Sequence, residues 1–449
     1  MSIIIPANSA VAGGFGIPNG VRFNTQSSTE YMQRNMSSTG NLQAWTVSVW
    51  VKRAVISDGQ HMLFASYNDS NNSTECFFEG NDSLNFRDNE SGSFVFQKKT
   101  SQRFRDPSAW YHFVMSSSAG TQRIYVNGVE VTAWDTNTNG SGTSTWNGPY
   151  SHSIGANVNG GSDKAGLYMA EFASIDGQTL TAASFGEFNE DNGIWQPKDV
   201  TGLTFGTNGF YLPFSNSGAL GEDFSGNNLD FATNNMDATN QTTDTCTNNF
   251  ATMNPLFAGD ANITYSEGNL KTTATNESQK NAVSTIAVSS GKWYCEMVSR
   301  NGTNYPGFGI MDSQSVLQTS VLYLGSSSDS YCMFQDGNYY TNGSASNTGT
   351  TWGVGSIMGV SIDLDSGTKT IKFYKDGSEE HSATIATPAN AYVFAVSHNT
   401  DGTIAEINFG SPPYAISSGN ADANGFGNFE YAPPSGYFSL CTKNLAEYG

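Results

Sequence analysis

The chain has 449 residues, few of them charged (13%), and a formal net charge of −20. With only 20 Lys and Arg, the acidity excludes a nucleic-acid-binding protein, because neutralising phosphates takes basic side chains. An aromatic content of 12% excludes a disordered chain, and Asn, Ser, Thr and 48 Gly between short apolar runs predict strands and turns rather than helices. Residues 1–19 form an apolar stub, Ile3-Ile4-Ile5-Pro6, and a Gly/Pro-rich stretch. Too short to fold alone, the stub is expected to pack on the first domain or on a neighbouring subunit, with Ile3, Ile4 and Ile5 as its anchoring residues. Neither a secretory signal nor a membrane span is expected from its composition. Strands are predicted at Val21–Phe23, Tyr31–Met32 and Trp45–Val51, the last with Trp45, Val47, Val49 and Val51 on one face. They continue at roughly ten-residue spacing (61–67, 75–79, 84–87 and 93–97), as a β-sandwich requires.

Trp110–Val131 then reads as strand, polar turn, strand and an Asn127-Gly128 turn, and Gly166–Ile175 as a closing strand. An Asn/Gly-rich connector over 186–260 carries enough aromatics to lie ordered against a domain. The same hairpin style returns at Ile357–Gly377, where Met358, Val360, Ile362 and Leu364 alternate with small or polar residues. Ile371 and Phe373 keep the alternation, Tyr374 falls out of step, and Asp376-Gly377 makes the turn. Such a hairpin needs a second sheet to cover its apolar face, so the fold class is all-β: two jelly-roll-type sandwiches in series. Of Trp50, Trp110 and Trp293, at least two should be mostly buried. The odd set Cys76, Cys246, Cys295, Cys332 and Cys441 predicts five free thiols.

Several motifs add a resemblance. NGVRFN at Asn19–Asn24, TVSVWVKR at Thr46–Arg53, WYHFVMSS at Trp110–Ser117, IYVNGVEV at Ile124–Val131 and YMAEFASIDGQTLT at Tyr168–Thr181 resemble the laminin-G/concanavalin-like jelly roll of tailed-bacteriophage structural proteins. FGEFNEDNGIWQPKDVTG, GTNGFYLPF, LGEDFSGNNLDF and TNNFATMNPL in the connector are similar to the same phage proteins. From 261 to 412 the chain resembles a SPRY (B30.2-like) domain through SSGKWYCEM, YPGFGIMD, GVSIDLDSGTKTIKFYKDG and IAEINFGSPPY. The tail, 413–449, resembles the ends of such virion proteins. The implied domains are a stub (1–19), a jelly roll (20–185), a connector (186–260), a SPRY-like sandwich (261–412) and a tail (413–449).

Catalytic motifs are missing from the sequence: it holds no GxSxG, HExxH, P-loop or zinc-spaced Cys/His cluster. His112 lies inside an alternating strand and reads as packed. GVGSIMG at 353–359 precedes a strand instead of a helix, which disqualifies it as a dinucleotide loop. Asp363–Gly367 begins like a calcium loop but lacks the later ligands, and the pairs Glu190-Asp191 and Glu222-Asp223 read as solvated turns. No cofactor is expected except calcium, which jelly rolls of this type often hold; Asp69 and Asp163 are its weak candidate ligands. For carbohydrate, Trp134 and Trp146 in the polar insert, and Tyr339 and Tyr340 in DGNYYTNGS, are candidate stacking residues; plugging the end of a sandwich is the competing role for each. The resemblance implies a non-enzymatic virion protein assembled in the host cytoplasm, an exposed tail fibre or appendage that binds host-surface glycans. Other virion proteins and further copies of the chain are its expected partners, with no nucleic acid and no membrane insertion. A capsid decoration protein without receptor role and a glycan-degrading enzyme are the alternatives.

Overall fold

A computed structural model describes residues 14–24, 30–157, 165–257, 262–275, 280–301, 306–315, 323–386 and 391–449. They divide into two compact units, one ending at Thr247 and the other beginning at Asn248. Each is a β-sandwich, and 46% of the described residues are strand, with one α-helix, Thr442–Tyr448, among them.

In the first unit one sheet runs in the order Val129–Glu130, Thr121–Val126, Trp110–Ser118, Trp45–Arg53, Leu167–Asp176, Gly20–Phe23 and Gln241–Thr242, with Phe210–Leu212 also paired to Leu167–Asp176. The other sheet runs Trp134–Thr138, Ser93–Thr100, Leu84–Glu90, Asn72–Phe78, His61–Asp69, Ser151–Ile154, Tyr31–Asn35 and Ala232–Asn234. Trp45, Val47, Val49 and Val51 point into the core between the sheets, as their alternation predicts. The opposite face of that strand is buried as well, because the segment after residue 180 folds back over it. Phe185, Val200, Phe205 and Tyr211 from this segment pack on Val114, Tyr125 and Ala173 of the sheet. Ile17, Phe15 and Trp195 pack on Trp50 and Ala170.

Ser48, Lys52, Trp110 and His112 find polar partners under this cover. Lys52 is ion-paired to Asp244 at 2.8 Å, and Asp244 also accepts from Trp110 Nε1 at 3.1 Å. His112 is stacked on Trp50 and Trp195, with ring centroids 4.7 and 5.9 Å away. Trp195 Nε1 donates to His112 Nδ1, so the ring proton sits on Nε2 and is donated to Ser48 Oγ at 2.8 Å. Burial lowers the His112 pKa to about 3, and the ring is a neutral packed strand residue. The unit closes where it opens: Ile17 N donates to Thr247 Oγ1, Thr245 Oγ1 donates to Ile17 O, and Gly20–Phe23 pairs with Gln241–Thr242.

The second unit stacks two sheets around a core containing Trp293, Met358, Val360, Ile362, Ile371 and Phe373. One sheet runs Ile263–Ser266, Lys271–Ala274, Ile404–Asn408, Lys292–Ser299, Ile357–Asp363, Thr370–Lys375 and Ser378–Thr384; the other runs Lys280–Val288, Tyr392–His398, Gly307–Asp312, Ser330–Phe334, Asn338–Thr341 and Ser344–Asn347. Tyr374 follows inward-facing Phe373 directly, so ordinary strand alternation turns it to the opposite face, with the register to Ile357–Asp363 unbroken. Its ring joins Tyr294 and Phe429 on the sheet's outer face instead of the core. The tail covers this face. Phe438–Ser439 pairs parallel with Lys292–Ser299 beyond the point where Ile404–Asn408 stops. Glu296 is the tail's clamp: it accepts from Tyr431 N at 2.8 Å, Glu430 N at 3.1 Å, Asn408 Nδ2 and Tyr294 OH. Burial pushes its pKa up to about 7.

Both foreseen turns form. Asn127 and Gly128 have φ of 47° and 83°, and Asp376 and Gly377 have 46° and 84°, the paired positive φ of a type I′ hairpin. Each glycine has a second reason to lack a side chain. A Cβ on Gly128 would lie 2.4 Å from the Trp195 ring, and one on Gly377 would lie 2.5 Å from Tyr431. Of the three tryptophans expected inside, Trp50 and Trp293 are buried and Trp110 is half-buried. Cys76, Cys295, Cys332 and Cys441 are buried thiols and Cys246 is partly so.

Candidate functional site

The outer face of the second sheet of the first unit is buried at its middle, where Met62, Ala65 and Phe77 cluster, and reaches solvent along a margin that holds Arg87, Phe94, Gln97 and Thr138. Strand register lays side chains across this face in rows. One row passes from Ala232 through Gln33, Ser153, Ala65, Glu75, Arg87 and Gln97 to Thr138, each directly opposite the next. Beside it run Tyr67, Ser73, Asn89 and Phe94 on one side, and Met62, Phe77, Asn85 and Lys99 on the other.

Arg87 is the centre of this margin. Its guanidinium lies over the rings of Phe77 at 4.7 Å and Phe94 at 5.3 Å. It is also bound to Glu75, with Nε 2.8 Å and NH2 2.6 Å from Oε2, while Asn157 Nδ2 donates to Oε1 at 3.0 Å. A flat cation held between rings and fixed by a carboxylate is preorganised, because little rotamer freedom is left to lose when a ligand arrives. Phe94 is 52% exposed and offers an aromatic surface to solvent. Gln33 and Ser151 are bonded to each other, and Gln97 donates to Asn85 at 3.4 Å, so the face is lined with amides and hydroxyls. Aromatic surface beside fixed donors and acceptors is the chemistry that recognises a polyhydroxylated ligand.

The four candidate stacking residues are elsewhere. Trp146 is wholly buried, a correction to the expectation of an exposed loop tryptophan: its indole sits 4.7 Å from the rings of Phe64 and His152, and Nε1 donates to Ser174 Oγ. The loop is drawn inward because Thr145 and Ser144 hydrogen-bond to Thr74, which also bonds Asp88. Tyr339 is corrected likewise, packed in the second unit's core against Phe373 and His381. Trp134 is half-buried against the first core with Lys98 Nζ 5.3 Å from its ring, and Tyr340 is half-buried between Tyr323 and Phe334. Sandwich-plugging thus describes Trp146 and Tyr339, which present no free ring face to a sugar. Ile3, Ile4, Ile5 and Asp163 lie outside the described residues.

Asp69 has its carboxylate taken by its own turn, accepting from Asn71 N and Asn72 Nδ2 at 2.8 Å and from Asn68. Among the described residues no group of three or more His, Cys, Asp or Glu could hold a metal. The sequence did carry a signal for this outer face: in Asn72–Phe78 the polar or aromatic Ser73, Glu75 and Phe77 alternate with Thr74, Cys76 and Phe78. It was masked because both sets are buried along most of that strand.

Residues 26–184 match the concanavalin A-like lectin/glucanases superfamily, and residues 293–412 match the SPRY domain. The chain carries a concanavalin A-like domain followed by a SPRY domain. Similar solved structures include the SPRY domain of human HERC1, at 17% identity over 34% of this chain and 96% of that one (TM-score 0.28). The TRIM65 PSpry domain is 16% identical over 35% and 91% (TM-score 0.28). Stonustoxin is 20% identical over 35% of this chain but 27% of its own length (TM-score 0.30). No curated protein matches. Concanavalin-like and SPRY domains are typically non-catalytic binding domains. No helix among the described residues is long and apolar enough to cross a membrane.

Three carboxyls with strongly raised pKa values have structural roles. Burial pushes Asp88, Glu171 and Glu296 up to about 7. Asp88 holds the Trp146 loop through Thr74, Glu171 accepts from Tyr211 OH at 2.5 Å under the connector of the concanavalin-like unit, and Glu296 holds the tail of the SPRY unit.

Proposed function

We propose that the protein is a non-catalytic glycan-binding protein whose concanavalin-like unit receives its ligand on the exposed margin of this sheet face, at Arg87 and Phe94, with buried Glu75 holding Arg87 in place. One observation carries this reading: the other face of the same sandwich is roofed by the connector, whereas this one presents Arg87 fixed between Phe77 and Phe94 amid amides and hydroxyls. The absence of catalysis is supported by the two carboxylates of the face. Glu75 is bound by Arg87 and Asn157, and Glu79 by Asn85 and, at 3.7 Å, Lys99, so neither is free to carry a proton to a leaving group.

We place it on the exterior of a tailed bacteriophage, as a tail fibre or appendage that attaches to host-surface glycans. Support for that setting is the run of phage-like motifs from the concanavalin-like unit into the tail. Copy number would then multiply weak single contacts by avidity.

Binding of the purified chain to a panel of bacterial surface polysaccharides tests the reading. Arg87→Ala and Phe94→Ala should each weaken binding at least tenfold, and incubation should release no reducing ends. Undiminished binding by both variants would move the site off this face; liberated oligosaccharide would make the protein an enzyme.

A further inference from the structure

The charges along the exposed margin limit the kind of glycan it can hold. In the rows described above the cations are Arg87 and Lys99, and each is closed by a carboxylate of the same unit. Arg87 turns Nε and NH2 to Glu75 Oε2, and Lys99 Nζ lies 3.7 Å from Glu79 Oε1. The two pairs leave the rows without net charge. Lys98, between Gln97 and Lys99, faces the other way: it is buried beside the Trp134 ring and donates to Asn137. Next to Phe94 the balance is negative, because Ser93, which precedes it, is paired with exposed Glu90. The chain as a whole carries −20.

An anionic sugar needs a cation to meet it, and Arg87 can supply one only by leaving Glu75. Glu75 is 6% exposed, and its other oxygen accepts from Asn157 Nδ2 at 3.0 Å, so it would stay behind as a buried carboxylate without its cation. Breaking a buried pair in this way is costly. The guanidinium would also give up its seat over the rings of Phe77 and Phe94. At longer range the charge of the chain opposes the approach of a polyanion.

A neutral sugar meets none of these penalties. With Nε and NH2 engaged by Glu75, the guanidinium keeps NH1 for a hydroxyl oxygen. Gln97 stands directly opposite Arg87, and Asn89 stands opposite Phe94, so amide donors and acceptors flank both the cation and the exposed ring. The ring itself offers an apolar platform to the C–H face of a pyranose.

We propose, resting on the glycan reading, that this margin selects uncharged glycans. A neutral polysaccharide lays a sugar face on Phe94 and hydroxyls on Arg87, Gln97 and Asn89. Glycans bearing uronate, sulfate or phosphate are refused, and Glu75 and Glu79 are the residues that refuse them.

The test titrates the full chain with neutral and acidic bacterial surface polysaccharides. Each neutral polymer is tested again after oxidation of its primary hydroxyls to carboxylates, and each uronate polymer after reduction of its carboxyls to alcohols. Neutral polymers should bind, with a Kd that changes less than about twofold between about 0.05 and 0.5 M NaCl. Oxidation should weaken binding on the order of tenfold, and reduction should strengthen it by as much. Phe94→Ala should lose the neutral polymers. Glu75→Gln keeps the shape and removes the charge, and should bind the oxidised polymers about tenfold better than the parent chain does, a gain that a damaged fold cannot produce. Tighter binding of acidic polymers that falls with salt and is lost in Phe94→Ala would overturn the inference and leave the site in place. Equal binding before and after oxidation, or no gain in Glu75→Gln, would overturn it likewise. Failure of every polymer to bind, or binding indifferent to Phe94→Ala, would instead bring down the glycan reading, and this selectivity with it.

Discussion

The two sheets of the concanavalin-like unit are built alike, yet their outer faces have opposite fates. In Trp45–Arg53 the outward residues Ser48, Trp50 and Lys52 lie under a roof, each matched to a partner from elsewhere in the unit. In Asn72–Phe78 the outward residues Glu75 and Phe77 are buried under Arg87 and Asn157, and solvent is reached only beyond them, at Arg87 and Phe94. The difference teaches that strand alternation specifies the core side only. Whether the other side becomes interior or a recognition surface depends on sequence far away, here residues 180–247. The SPRY unit repeats the lesson, since its tail covers one sheet through Glu296, Phe429 and Tyr431.

If the covered face is true interior, its disruption should be costly. Asp244→Ala takes the carboxylate from buried Lys52 and a hydrogen bond from Trp110, and should lower stability by about 3–5 kcal/mol, read as a shift in urea midpoint. Trp50→Ala removes the ring stacked on His112 and should cost a similar 3–5 kcal/mol or somewhat less. A loss below about 1 kcal/mol in both would mean the roof is loosely held.

Acid sharpens the comparison. Burial lowers His61 and His152 to about 4 and His112 to about 3, so the folded unit refuses protons that the unfolded chain takes up near 6.5. These residues make stability fall as pH drops from about 6.5 to 4, by up to about 1.4 kcal/mol per pH unit each. Asp88 and Glu171, raised to about 7, act in the opposite sense: their contribution is complete below about pH 4 and is lost as pH rises through 7. Urea midpoints across this range should therefore flatten in His112→Gln and steepen in Asp88→Asn. The smallest effect belongs to the exposed margin, where Phe94→Ala should change stability by less than about 0.5 kcal/mol while weakening ligand binding.

Local chemistry accounts for what the sequence made legible. Both I′ turns, the core alternation at Trp45–Val51 and at Met358–Leu364, and the burial of Trp50 and Trp293 could be read because each depends on near neighbours. The candidate site was poorly legible because its parts come from strands separated by more than a hundred residues, from Gln33 to Thr138, and meet only through register. Trp146 misled for a related reason. Its loop composition is that of a surface turn, but Thr74 and Asp88, some sixty to seventy positions away, hold it inside.

The pairing of Gly20–Phe23 with Gln241–Thr242 brings the entrance and exit of the concanavalin-like unit together, locked by Ile17 and Thr247. Tension applied along the chain would enter and leave at adjacent points and load this short antiparallel pair from its open end, one hydrogen bond at a time. The clasp would yield before the sandwich bears any shear. Once it opens, the first parts drawn away are Asp244 and its neighbours, which leave Lys52 behind. A stretched copy would thus lose its roof while its core and its other outer face remain folded.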